Sequence, residues 1–114
     1  MTTQEIDLST FEELRKTSDA DFLRELVATF LEEAPKLLLQ LRSSLRAGDV
    51  ETFRRAAHSL KSNGATFGAS RFSLQARELE LLARENKLPQ TGTGVEDLET
   101  MFSKVAAELK VLSS

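Results

Sequence analysis

The segment RRAAHSLKSNGATFGA, residues 54–69, contains the single histidine of the chain, His58, and two of its five glycines. On a helix, consecutive residues are separated by about 100°, so the apolar side chains of this segment and of the residue before it share one stripe. That stripe, which is suited to packing in a core, consists of Phe53, Ala57, Leu60, Gly64 and Phe67. His58 lies about 140° away from it. We therefore predict that His58 is exposed on the outer face of a helix.

The side chains around His58 are either positively charged or small. Arg54 and Lys61 lie towards one flank of the histidine, and small residues follow it at Ser62, Ala65 and Ala69. A single surface histidine is most often an ordinary solvated residue. However, a glycine inside a helix costs about 1 kcal/mol relative to alanine, so the presence of Gly64 indicates that a small residue is required there.

The segment resembles the histidine-containing phosphotransfer family, the HPt domains of two-component phosphorelays. In that pattern the histidine is followed by lysine three residues later, by small residues on the next turns, and by glycine ten residues later. The matching positions here are His58, Lys61, Ser62, Gly64, Ala65 and Gly68. One departure is Ser62, because many members have glycine four residues after the histidine. Length and helix order extend the resemblance over most of the chain.

The resemblance implies a phosphorelay intermediate. His58 would accept a phosphoryl group and exchange it with the aspartate of a response-regulator receiver domain, and a sensor histidine kinase would be a second partner. Lys61, three residues after His58, would contact the phosphoryl group. The predicted receiver-docking residues are Arg54, Arg55, Ser62, Ala65 and Ala69.

The family also places a glutamate or glutamine of the following helix beside the histidine, 22 residues after it. In this chain that position is Glu80. Its carboxylate would hydrogen-bond one ring nitrogen and leave the other free to attack. The alternative is a surface glutamate paired with Arg77 or Arg84 on its own helix.

Composition limits the remaining possibilities. A chain of 114 residues fits one domain, residues 1–114, and the absence of cysteine excludes disulfides and cysteine-based zinc sites. Net charge is −3, which argues against nucleic-acid binding, although residues 42–77 carry seven basic and only two acidic side chains. No signal peptide or membrane-spanning run is found, so we predict a cytoplasmic domain that does not associate with membranes and is a monomer.

Apolar periodicity predicts helices throughout and no strand. The expected fold is all-α, an antiparallel four-helix bundle with a short extra N-terminal helix. Predicted N-terminal caps are Ser9 for the first helix, the segment 17–21, which contains Asp19, for the second, and Asp49, Ser70 and Thr93 for the others, with Gly48 ending the second helix. Leu31 and Leu38 lie on the outer margin of the long helix. Packing at the edge of the core is the default interpretation for them, and docking of a partner protein is the alternative. The predicted helices span residues 9–15, 19–46, 50–67, 71–86 and 94–112.

Neutral imidazole is a nucleophile near pH 7. None of the five glycines forms a nucleotide-binding loop, and no acidic cluster suggests a metal site. We therefore expect no cofactor, no enzyme activity of its own, and a divalent metal on the partner receiver. Two other functions remain open: an adaptor bundle in which His58 is incidental, and an independent enzyme such as a phosphatase, for which no base or metal site is apparent.

Overall fold

The computed structural model describes residues 4–113, which form an all-helical bundle without strands, as predicted. A short 3-10 turn, Leu88–Gln90, precedes the last helix. The five α-helices are α1 Leu8–Thr17, α2 Ala20–Ala47, α3 Val50–Thr66, α4 Ser70–Arg84 and α5 Gly92–Leu112.

The four long helices, α2 to α5, are joined by short connections, which turn each helix back along its predecessor. Helix α3 contacts α2 on one side and α4 on the other, and α5 packs against both α4 and α2. The buried apolar side chains form one continuous cluster. No helix within residues 4–113 is both long and apolar enough to cross a bilayer.

Two of the predicted helix caps, and the glycine between them, are confirmed. The side chain of Asp19 accepts a hydrogen bond from the amide of Phe22 at 2.8 Å, and Asp49 accepts one from Thr52 at 3.1 Å. Between these two caps, Gly48 ends α2 in the left-handed conformation with φ 71°. These contacts satisfy backbone groups that a helix leaves free at its ends.

Three predicted caps are wrong. Helix α1 begins one residue before Ser9, because the carboxylate of Asp7 accepts from the Ser9 amide at 3.0 Å. Ser70 is already the first residue of α4, whose preceding residue makes no side-chain cap. Helix α5 begins before Thr93, because the carbonyl of Thr91 accepts the first helical bond, from Val95. Helix α1 also ends two residues later than predicted, and α4 two residues earlier.

Four phenylalanines form an aromatic cluster in which the rings of each contacting pair have centroids 5.3–6.2 Å apart: the buried Phe30, Phe67 and Phe72 and the half-buried Phe102. Of the two marginal leucines of α2, Leu38 is buried, so the docking alternative is wrong for it. Leu31 is half-buried and packs against the same core.

Gly64 allows α3 and α4 to approach each other closely. A Cβ atom built on Gly64 would lie 2.6 Å from Cδ1 of Phe72, which is closer than real side chains approach. The small residue that the sequence required is therefore explained by helix packing. Gly68 has a different role, since its φ of 80° turns the chain from α3 into α4.

Candidate functional site

His58 lies on α3 with 54% of its side chain exposed, as its position opposite the apolar stripe predicted. The residues of that stripe are buried in the bundle: Phe53, Ala57, Leu60, Gly64 and Phe67. The imidazole therefore stands at the protein surface on a helix whose other face is fixed in the core.

Helix α4 places a buried carboxylate against the ring. Oε2 of Glu80 lies 2.8 Å from Nδ1 of His58, and Oε1 of the same carboxylate accepts from Nζ of Lys61 at 2.8 Å. The Glu80 side chain is only 3% exposed, so both of its oxygens are committed to residues of α3. The predicted contact between Glu80 and a ring nitrogen is therefore present. Of the alternative, the surface exposure is wrong, whereas a pairing of Glu80 with Arg84 on its own helix is also present.

The charge on Glu80 determines which ring nitrogen carries the proton. Burial by itself raises the pKa of this carboxyl, but hydrogen bonds from Lys61 and His58, together with their charges, outweigh burial and hold the pKa below its ordinary value. An ionised carboxylate has no hydrogen to donate, so Nδ1 of His58 must donate. In the neutral ring, the lone pair is then on Nε2.

A second cation lies near the same carboxylate. Arg84, one turn after Glu80 on α4, has its guanidinium 3.7 Å from Oε2. The sequence already shows that Glu80 and Arg84 are four residues apart on one helix. From the sequence alone, that spacing is the alternative to a contact between Glu80 and His58, and not part of the same site. The buried carboxylate thus faces Lys61, Arg84 and the imidazole together.

The structure brings four of the five predicted docking residues to the surface around His58. Ser62 and Ala65 are exposed on the following turns of α3, and Arg55 is exposed one turn before the histidine. Arg54 is half-buried and pairs with Glu51 on its own helix. We call Arg54, Arg55, Ser62 and Ala65 the His58 face.

Ala69 does not belong to this face, and its predicted exposure is wrong. Its side chain is fully buried, and its amide donates to the carbonyl of Gly64 at 2.9 Å. The helical projection placed it outside because it assumed that α3 continues. The helix ends at Thr66, and Gly68 then turns the chain inwards.

The chemistry available at the site is limited to the imidazole and its charged neighbours. Within residues 4–113 no three His, Cys, Asp or Glu side chains group together in a way that could hold a metal ion. Every buried side-chain nitrogen and oxygen of this part of the chain has a hydrogen-bond partner. Nε2 is the ring nitrogen of His58 that Glu80 does not contact, on a side chain that is 54% exposed.

Comparison with known proteins identifies this arrangement. No curated protein matches the chain. The structure is similar to the crystal structure of histidine-containing phosphotransfer protein B (HptB) from Pseudomonas aeruginosa PAO1, with a TM-score of 0.90 and 26% sequence identity, over 98% of this chain and 96% of that one. The Hpt domain family model matches residues 25–108, most of the chain, so the resemblance found in residues 54–69 is confirmed. This protein belongs to the Hpt domain family.

Proposed function

We propose that the chain is a phosphorelay intermediate that carries a phosphoryl group on Nε2 of His58. Family membership supports histidine phosphotransfer as the function. The observation that carries the assignment to this atom is the hydrogen bond between Nδ1 and Glu80, which commits one ring nitrogen and leaves the other exposed.

In the proposed reaction, the lone pair of Nε2 attacks the phosphorus of an aspartyl phosphate on a receiver domain. The new N–P bond forms as the P–O bond to the aspartate breaks, and the carboxylate leaves with the electron pair. The proton on Nδ1 stays in place, so the phosphorylated ring is positively charged. Glu80 is positioned to balance that charge, and the reverse reaction returns the phosphoryl group to a receiver.

Lys61 has a separate proposed role. Its ammonium is held by Glu80 one turn beyond His58, and it has further N–H donors that are not used by that contact. We propose that it turns one of them to a phosphoryl oxygen. A short helical i, i+3 separation from His58 makes this contact possible without moving the backbone.

Phosphoryl transfer depends mainly on positioning and on charge stabilisation. This chain supplies the nucleophile and nearby cations, whereas no metal-binding cluster is found among its described residues. We propose that the receiver supplies the divalent metal and the remaining catalytic groups, and that a sensor histidine kinase is the other partner. We further propose that the chain works in the cytoplasm as a monomer.

The assignment is tested by mixing the chain with a phosphorylated receiver domain. We expect an acid-labile, base-stable phosphate on the chain, and none on the His58→Gln variant. Circular dichroism of both proteins controls for folding. Normal labelling of His58→Gln would contradict the assignment, and partner binding indifferent to His58 and to phosphorylation would favour the adaptor function instead.

A further inference from the structure

Two of the three cationic side chains that flank His58 on α3 are already held by carboxylates. Lys61 donates to Glu80 on α4 at 2.8 Å. Arg54 forms a two-point contact with Glu51, one turn earlier on its own helix. Arg54 therefore cannot contact a new anion without loosening its ion pair, and Lys61 has only the N–H donors that Glu80 leaves unused.

Arg55 is the third cation, and it is free. It is exposed and makes no hydrogen bond or ion pair with any residue in the described part of the chain, and its charge reaches Asp49 and Glu51 only at longer range. Arg55 borders a shallow hollow of about 260 Å³ between α3 and α2. The other residues lining that hollow are Leu37, Gln40, Thr52, Ala56 and Ser59.

The orientation of the imidazole selects the flank on which Arg55 lies. Nδ1 of His58 points to Glu80 on α4, so Nε2, on the other side of the ring, points away from α4. Arg55 is about 60° around the helix from His58 on the side of α2, and Lys61 is about 60° around on the side of α4. Helical side chains lean towards the preceding turn, which brings the ring over the turn that contains Arg55.

We propose that Arg55 is a phosphoryl-binding residue that contacts the phosphoryl group on Nε2 of His58. This inference rests on the proposed function. The planar guanidinium can donate two parallel N–H bonds to two phosphoryl oxygens, and it gives up no existing ion pair to do so. The phosphoryl group is then held between Arg55 on the α2 side and Lys61 on the α4 side.

The equilibrium of transfer separates phosphoryl binding from receiver docking. The full chain is mixed with a receiver domain phosphorylated by a small acyl phosphate, and the ratio of phosphorylated chain to phosphorylated receiver is measured at equilibrium. That ratio depends only on the free species, so contributions to docking cancel. The matched control is Arg46→Gln, which removes the same charge from an exposed arginine of α2 outside the residues around His58.

For Arg55→Gln we expect the ratio to fall about threefold to fivefold, the upper part of the range for a single exposed ion pair. Arg46→Gln should leave the ratio unchanged, and Arg55→Lys should give an intermediate value. In nitrogen-edited NMR spectra, the side-chain Nε–H signal of Arg55 should shift on phosphorylation, and that of Arg54 should not. Melting temperatures of all three variants should match the wild type, since neither arginine belongs to the core.

Three outcomes would overturn the proposal. If Arg55→Gln slows transfer but leaves the equilibrium ratio unchanged, Arg55 contributes only to docking. If Arg46→Gln lowers the ratio as much as Arg55→Gln does, the effect comes from the overall positive charge of the protein and not from a contact of Arg55. If His58→Gln still accepts the phosphoryl group, the proposed function itself fails, which the Arg55 variants alone would not show.

Discussion

Replacing Glu80 with glutamine tests the link between the buried carboxylate and the reactivity of His58. Glutamine has nearly the same shape, but it offers one acceptor oxygen and an NH₂ group that only donates. Lys61 always needs an acceptor, so the amide oxygen turns to Lys61 and the NH₂ group faces Nδ1 of His58. Nδ1 must then accept, which moves the ring proton to Nε2 and removes the nucleophilic lone pair.

The cost in stability should be modest, because glutamine keeps a hydrogen bond to each partner and loses only the charge, and both partners can also reach water. A buried hydrogen bond to a charged group contributes about 1.5–3 kcal/mol, whereas an exposed ion pair contributes about 1 kcal/mol or less. The His58 side chain is 54% exposed and the Lys61 side chain 28%, so the lower figure applies to each contact. The variant no longer buries a charged carboxylate, and this offsets part of the lost unfolding free energy. We expect Glu80→Gln to lose about 1 kcal/mol of unfolding free energy, or roughly 4 °C in Tm.

The effect on function should be larger than the effect on stability. We expect phosphoryl transfer from a receiver to slow at least about tenfold, corresponding to about 1.4 kcal/mol in the barrier. Nitrogen-edited NMR of the imidazole should show the proton on Nδ1 in the wild type and on Nε2 in the variant. The matched control is Glu78→Gln, an exposed position on the same helix. A folded Glu80→Gln protein with the proton still on Nδ1 and wild-type transfer would refute the reasoning.

The pH dependence of the same variant gives an independent check. The pKa of Glu80 is held below its ordinary value of 4.5 in the folded chain, so the folded state holds this proton less tightly than the unfolded state. The stabilisation that ionised Glu80 gives the fold is therefore complete above about pH 4.5, and it is lost as the pH falls through the pKa of Glu80 in the folded state. The difference in unfolding free energy between wild type and Glu80→Gln should persist from pH 7 to about pH 4.5 and narrow below it. A difference that already narrows above pH 5 would contradict the assigned direction.

Two further substitutions test packing and access. Gly64→Ala should destabilise the fold by up to about 2 kcal/mol in urea unfolding, since the clash with Phe72 at 2.6 Å outweighs a helix-propensity gain of about 1 kcal/mol. The control is Gly92→Ala, which should not destabilise the fold, because Gly92 has open space around it. Ala65→Phe should slow transfer at least about tenfold with little change in Tm, whereas Ala28→Phe, at an exposed position of α2, should leave the transfer rate unchanged.

The helices could be predicted from sequence because each long one carries an uninterrupted apolar stripe. Their ends could not, because serine and threonine near a helix start resemble caps whether or not their side chains reach a free amide. Ser9 shows this: the carboxylate two residues earlier, on Asp7, forms the cap instead. Ala69 was misplaced for a related reason, since a helical projection holds only while the helix continues.

The exposure of His58 followed from periodicity, but the burial of Glu80 did not. Charged side chains are rarely buried unless they are paired, and the hydrogen-bond partners of Glu80, His58 and Lys61, lie on another helix. The spacing of 22 residues came from family resemblance alone. The resemblance supplied the position, and the structure added that the carboxylate is shared by His58 and Lys61.

The close approach of α3 and α4 connects the fold to the site. Gly64 lets the two helices approach at Phe72, and the hydroxyl of Ser73 donates to the carbonyl of Lys61 at 2.9 Å, which fixes their relative position along the axes. Ser73 lies two turns before Glu80 on the same face of α4, so these contacts set how far the carboxylate reaches across to α3. Since Glu80 meets its partners at 2.8 Å, a small increase in helix separation would lengthen both hydrogen bonds and release the ring. Gly64 therefore influences His58 by letting α3 and α4 pack closely, and not by leaving room for a partner at the surface.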